Sequence, residues 1–341
     1  MRSPSHFTSP TWRGPATNVH FVLPADVDDP ASPSGGNVYD LRVGAGLTRL
    51  TVAGDWPRPH DTAPLRQTLA QIPDGDVVLI DGLVGCGVPE VVVPHAQRLR
   101  LAVLVHLPLA DETGLDPATA ALLDEQERQV LRAASAVIAT SPTAARNIRT
   151  RHGLENVHVV VPGTDPAPRA PGTDGVSQLL CVASITPRKG HDLLIRALQK
   201  IDYEWRLDCV GPVRPFVRQL PEDDRVSFRG PLTGEALTRA YSDADLFVLA
   251  SRNETYGMVV TEALARGLPV IASAVPDALG DGGLLLPPGD ENALEAALTR
   301  WFQDQEFRAE LRVKALERRT NLSTWDESTE DLRRVLASLR P

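Results

Sequence analysis

Lysine is almost missing from this chain. Lys189, Lys200 and Lys314 stand against 32 arginines. A GC-rich genome accounts for the arginines, and it makes a lysine in a suggestive place more telling. Cysteine is scarce as well: Cys86, Cys181 and Cys209 show no paired spacing. That argues against a disulfide framework or a zinc site and for a reduced cytoplasm. No apolar run reaches the roughly 18 residues of a spanning helix, and the opening "MRSPSHFTSPTWRG" lacks the apolar core of a signal peptide. Positive charge is in deficit. The net charge is −9, with 14 arginines against 18 acidic residues in 1–170 and 21 basic against 26 acidic residues in the remainder. Neither a nucleic-acid surface nor a polybasic membrane module is expected from such a balance.

What is present is an alternation. The runs 19–23, 77–81, 101–106, 136–140 and 157–161 are short, β-branched and nearly continuously apolar, as parallel strands buried on both faces are. Helical segments near 36–47, 62–71 and 117–134 separate them. At 162–177, "PGTDPAPRAPGTDGVS" breaks all periodicity and reads as a linker. Strands at 178–184, 205–211, 226–230, 245–251 and 269–273 then alternate with helices at 190–200, 213–220, 233–243 and 257–267. Two more helices follow "PPGDE" at 287–291, and 323–339 is amphipathic. The pattern predicts an α/β chain of two Rossmann-like parallel-sheet domains facing a cleft. The first covers 1–167 and the second 176–322.

In open α/β sheets, ligands bind beyond the carboxyl ends of the strands, so the residues after each strand carry the chemistry. After the first strand, Gly35-Gly36 precedes a helix beginning near Asn37; close backbone approach to a ligand and a flexible surface loop both account for it. The G-x-G-x-x-G of a dinucleotide site is absent, which disfavours a nicotinamide dehydrogenase. His106 falls where its strand ends, a place for a ligand-facing imidazole, though a lone histidine is more often simply packed. Asp81, before "GLVGCG", either shapes an acceptor pocket or makes a turn. In the second half, Arg188 and Lys189 sit together at a helix start, against the dipole, where an intervening anion such as a diphosphate would suit them. A solvated basic turn is the plain alternative.

The most informative stretch is "SRNETYGMVVTEALARGLPVIAS" (251–273). Glu254 lies in a polar turn and Glu262 in the following helix, about 8 Å along its axis from Gly257. The N–H groups of Gly257, Met258 and Val259 form an anion-binding helix tip between them. Glu254 suits hydroxyls or a developing positive charge, and Glu262 a ribose. The whole describes a sugar–diphosphate–nucleoside site.

At these residues the chain resembles the retaining glycosyltransferases of the family-4 type, with the GT-B fold. The resemblance is carried by the E-x7-E pair Glu254…Glu262, "PRKGHDLLIRAL", "VVVPGTD", "ERQVLRAASAVIATSPTAARNI" (127–148) and "LLLPPGDENALEAAL" (284–298). It covers Val19 to about Leu339, and it implies that the closing helix of 323–341 crosses back onto the first domain. The resemblance implies a second domain that binds a UDP- or GDP-sugar through Ser184, Arg188, Lys189, Glu254, Thr255, Tyr256, Gly257, Met258, Val259 and Glu262. Lys189, Arg188, Glu254 and His106 would be the catalytic set. The "SGGNVY" segment resembles a loop of actinobacterial inositol-phosphate and lipid transferases; it implies Gly36 near the donor, and Asn37, Tyr39, Asp81 and His106 toward the acceptor. Ala183-Ser184 depart from the Gly-Arg that many members carry there. The expected partners are a nucleotide-sugar donor and a small soluble hydroxyl acceptor, with no cofactor and no metal. A nucleotide-sugar epimerase of the same fold and a non-catalytic nucleotide-sugar binder are the alternatives.

Overall fold

The structure is a computed structural model that describes residues 18–29 and 34–340. The first 17 residues, read above for a signal peptide, and residues 30–33 of the loop before Gly35 lie outside the described part. The first sheet contains β1 (Val19–Pro24), β2 (Thr48–Val52), β3 (Val77–Asp81), β4 (Arg100–Val105), β5 (Ala136–Ala139) and β6 (Val157–Val159). The second contains β7 (Gln178–Val182), β8 (Arg206–Val210), β9 (Val226–Gly230), β10 (Leu246–Leu249), β11 (Val270–Ser273) and β12 (Leu284–Leu286). Their orders are β2-β1-β3-β4-β5-β6 and β12-β11-β10-β7-β8-β9, and all the described pairings are parallel. Every residue of β3, β5, β10 and β11 is buried, which is why these runs are apolar without alternation.

The order of the second sheet reverses between β7 and β10. A crevice opens at such a switch point, at the carboxyl ends of the two strands. The loops that arrive there are Ala183–Lys189 and Ala250–Gly257, so the topology brings the basic pair to the Glu254 turn. In the first sheet the switch lies between β1 and β3, which places the 35–43 segment and Asp81 at the equivalent edge.

Several elements differ from the sequence expectation. β2, "TRLTV", was not anticipated; it is an edge strand with three of its five residues exposed, so it lacks the apolar continuity of its neighbours. β12 is only three residues long. The expected helix at 213–220 is a single 3-10 turn, Pro215–Gln219, because the run is too short to propagate. The helix expected at 36–47 starts at Gly35 and ends at Val43.

The segment 162–172 carries no helix or strand. Its end is held by Asp245, whose buried carboxylate accepts from Thr173 N (2.8 Å), Thr173 Oγ1 (2.6 Å), Gly175 N (3.0 Å) and Gln178 N (3.0 Å). The closing helix, Trp325–Ser338, begins with a capping box between Thr324 and Glu327. It buries Leu332 and Leu336 in the core that holds Phe21 and Tyr39 beneath the first sheet. Each such leucine contributes about 1.5–3 kcal/mol. Among the described residues, no helix is long and apolar enough to cross a membrane.

Candidate functional site

Between the two sheets lies a cavity of about 440 Å³ lined from both halves of the chain. Its second-sheet wall is built on two tight turns. Gly190, with φ +67°, closes the Pro187–Lys189 turn, and a Cβ there would stand 2.0 Å from the Ala250 carbonyl oxygen. Gly257, with φ +96°, starts the helix Met258–Ala265, and a Cβ there would stand 2.5 Å from Val275. Only glycine permits both the left-handed backbone and the approach. Arg252 ties the turns together: its guanidinium donates to both Asp192 oxygens (2.9 and 2.8 Å), and its N–H donates to the Arg188 carbonyl at 2.7 Å. Sequence reasoning missed Arg252 and Asp192, since neither lies in a strand-end pattern of its own.

Arg188 and Lys189 both line the cavity, and the structure gives them a different anion from the one anticipated. Lys189 Nζ and Glu254 Oε1 form an ion pair, and Arg188 approaches Glu254 Oε2 at 3.5 Å while donating to the Asn253 carbonyl at 3.2 Å. Ser251 Oγ donates to Glu254 Oε1 at 2.8 Å. Burial alone would raise the Glu254 pKa; the two cations and the hydrogen bonds from Lys189 and Ser251 override it and hold the carboxyl below its usual range. One donor remains open, because Arg188 Nε is buried with no partner. The Met258–Ala265 helix likewise has no side-chain cap at its N-terminus, and Gly257, Met258 and Val259 all face the cavity.

Glu262 lines the cavity deeper in and accepts from the Tyr241 hydroxyl at 2.8 Å. Arg266 lies over the Tyr241 ring at 4.4 Å. Burial dominates here and pushes the Glu262 pKa up, against Tyr241 and Arg266. Ser184, Thr255 and Tyr256 also line the space, Tyr256 almost wholly buried. Arg214, which no motif singled out, lines it too, from the loop after β8.

The first-sheet wall contains Gly36, Tyr39 and His106. Ser34 caps the 35–43 helix, its Oγ accepting from Asn37 N at 3.0 Å. Two expected acceptor residues are placed otherwise. Asn37 and Asp81 do not line the cavity; Asp81 is buried at the end of β3, where it caps the short helix Gly82–Gly85. Tyr39 contributes to the wall, but its hydroxyl donates to the Val160 carbonyl at 2.9 Å, and the residue is wholly buried. His106 stands with its ring edge-on to Tyr39 and its Nε2 2.8 Å from Asp40 Oδ1. Asp40 was missed because it reads as an ordinary acidic residue of a short helix. The two walls meet through Ser141 Oγ, which donates to the Thr255 carbonyl (2.7 Å), and Thr143 N, which donates to Asp277 (2.9 Å).

Two six-stranded parallel sheets around a cleft of this kind define the GT-B architecture. It is matched by a sucrose-phosphate synthase from Thermosynechococcus elongatus, with TM-score 0.76 and 22% identity over 94% of this chain and 99% of that one. Anabaena HepE, solved with UDP and glucose, matches with TM-score 0.71 and 17% identity over 94% of this chain and 100% of its own. The sequence divides along the same line. Residues 12–163 match the family described as "Glycosyl transferase 4-like domain", and residues 177–304 match "Glycosyl transferases group 1". The chain therefore belongs to the group 1, family-4-like glycosyltransferases. Among its relatives, a D-inositol 3-phosphate glycosyltransferase of Stackebrandtia nassauensis is 30% identical over 70% of this chain and 62% of its own length. A mannosylfructose-phosphate synthase of Agrobacterium fabrum is 26% identical over 61% of this chain and 54% of its own. The chain thus spans less than two thirds of either relative.

Proposed function

We propose that this protein is a retaining glycosyltransferase. It moves a hexose-type sugar from a UDP- or GDP-sugar to a hydroxyl of a small soluble acceptor, in the cytoplasm and without a metal. The observation that carries the reading is the cluster at the second-sheet switch point. Lys189 and Arg188 flank Glu254, Arg188 keeps one buried donor open, and an uncapped helix tip faces the same space. A diphosphate entering there meets two cations and unpaired N–H groups.

Breaking the bond from the anomeric carbon to the phosphate oxygen leaves charge on both fragments, and stabilisation has to be aimed at each. Lys189, Arg188 and the N–H groups of 257–259 take the leaving diphosphate, so fixed cations do what a metal does in other transferases. Glu254, kept ionised, lies beside the developing positive centre, and Glu262 accepts from the ribose hydroxyls. The acceptor hydroxyl attacks from the face the phosphate leaves and gives its proton to a phosphate oxygen, which retains the configuration. Among the described residues of the trio Asp40, Asp81 and His106, only His106 reaches the cavity. An epimerase needs further acid–base carboxylates or histidines around the sugar ring, and among the described residues the cavity lining adds none beyond His106, Glu254 and Glu262.

A thermal-shift screen over nucleoside diphosphates and their sugars should give stabilisation by one base series. With that donor, Lys189→Ala should cut transfer by on the order of 10²–10³, as loss of a preorganised stabiliser does. Near-normal turnover in this variant removes the diphosphate assignment. Donor conversion without any acceptor would instead show an epimerase, and binding without release of nucleoside diphosphate would show a non-catalytic binder.

A further inference from the structure

Behind His106 the first sheet hides an acid pair that the transfer reaction does not itself use. Asp40 and Asp81 are 1% and 3% exposed. One side-chain nitrogen or oxygen from each of Asp40, Asp81 and His106 lies within 4.8 Å of the others. Asp40 Oδ1 faces His106 Nε2 at 2.8 Å, and Asp81 Oδ1 accepts from Leu83 N at 2.8 Å. Asp40 Oδ2 is buried and has no partner unless the neighbouring Asp81 carboxyl carries a proton. Two adjacent carboxylates in so dry a place resist a second ionisation, and one shared proton resolves the conflict.

We propose that Asp40 and Asp81 are positioning residues that share one proton and thereby hold His106 as a hydrogen-bond donor toward a hydroxyl in the cavity. Asp81 donates its O–H to Asp40 Oδ2, His106 donates Nε2–H to Asp40 Oδ1, and a second ring proton on Nδ1 serves the cavity. That the hydroxyl belongs to a sugar or an acceptor rests on the transfer reading above; the proton arrangement does not.

The electrostatics agree with this placement. Burial, with the Asp40 charge, pushes Asp81 up to about 7. Burial also raises Asp40, against the pull of His106. For His106, burial would lower the pKa, but Asp40 and then Asp81 outweigh it and lift it to about 9. The other titratable groups nearby are the Cys86 thiol beside Asp81 and the Tyr39 phenol beside Asp40 and His106. Burial pushes both upward, so both are neutral near pH 7. Across the cavity, Lys189 and Glu254 compensate each other. As pH rises through about 7, Asp81 loses its proton to solvent. Asp40 Oδ2 then loses its donor and the carboxylate that orients His106 is no longer fixed on that side, although the added charge favours the protonated ring.

The test combines pH–rate profiles with NMR titration of labelled histidine, on the full chain. Asp81→Asn keeps an N–H donor for Asp40 but cannot ionise. In the wild type kcat should decline above about pH 7, and in Asp81→Asn the plateau should extend to higher pH. Asp40→Asn should lower kcat roughly tenfold or more with little change in the donor KM. It should also move the His106 midpoint from about 9 down toward about 6.5. Nucleotide binding by calorimetry shows that each variant is folded. Superimposable profiles for wild type and Asp81→Asn overturn the proposal, as does a wild-type His106 that titrates near its ordinary value. So does a stoichiometric divalent metal whose chelation shifts the His106 resonances, since a cation would then join the acids. Absence of transfer in the wild type, with His106 still titrating high and dropping in Asp40→Asn, would end the transfer reading and support the proton arrangement.

Discussion

Glu254 concentrates the conflict at the residue scale. It is clasped by Lys189 and Arg188, the two groups that the proposed diphosphate would meet. Glu254→Gln should therefore tighten binding of a nucleoside diphosphate, measured by calorimetry, while lowering sugar transfer. Weaker binding would show that the cations do not face the phosphates. The same carboxyl makes stability depend on pH. Its folded pKa lies below the unfolded one, so its contribution is present above the ordinary carboxylate range and is lost as pH falls through the folded value. Denaturant melts at stepped pH should show wild type losing more stability than Glu254→Gln below about pH 4. Glu262 has a different partner, the Tyr241 hydroxyl. Glu262→Ala should chiefly weaken nucleotide binding, and an unchanged dissociation constant would show the ribose contact to be misplaced.

Elements are joined here by a few polar clamps. Asp245 gathers four donors from the segment entering β7, all at 3.0 Å or less. Asp245→Ala leaves those part-buried donors without their common acceptor, and hydrogen bonds to charged groups are worth about 1.5–3 kcal/mol each. A loss of at least about 2 kcal/mol in urea unfolding is expected, with partial cleavage in the 162–177 segment under limited proteolysis. A small surface-type effect would show that the segment is held by its apolar contacts instead. Gly190 belongs to the same scale, because the turn it closes delivers Arg188 and Lys189. Alanine there meets the Ala250 carbonyl, so the turn must shift and nucleotide affinity should fall with it.

For the whole molecule, the cavity is shared by two sheets that touch through Ser141, Thr143, Thr255 and Asp277. A donor that occupies the cavity stabilises the folded state by about 2.7 kcal/mol at a hundredfold excess over its dissociation constant. That should raise the melting temperature by a few degrees. If the proposed donor is used, closure of the two halves over the 162–177 segment would keep water from it. That closure should appear as a smaller radius of gyration in solution scattering when nucleotide is added. An unchanged radius would mean that the cleft is already closed.

Much of this organisation was legible before any coordinates. Buried parallel strands are apolar throughout, so β3, β5, β10 and β11 announced themselves, and the Glu254–Glu262 spacing with Arg188 and Lys189 marked a crevice. Edge strands and short turns escaped, since β2 is half in water and the Pro215 turn never gathers a helical period. The sequence alone set which runs are buried and which polar residues end them, because burial and turn chemistry act over a few neighbours. Only the tertiary structure decided that Lys189 meets Glu254, that Asp81 lies behind the wall and that Asp40 stands under His106. Those contacts join residues 41 to 66 positions apart, and strand order rather than local pattern brings them together.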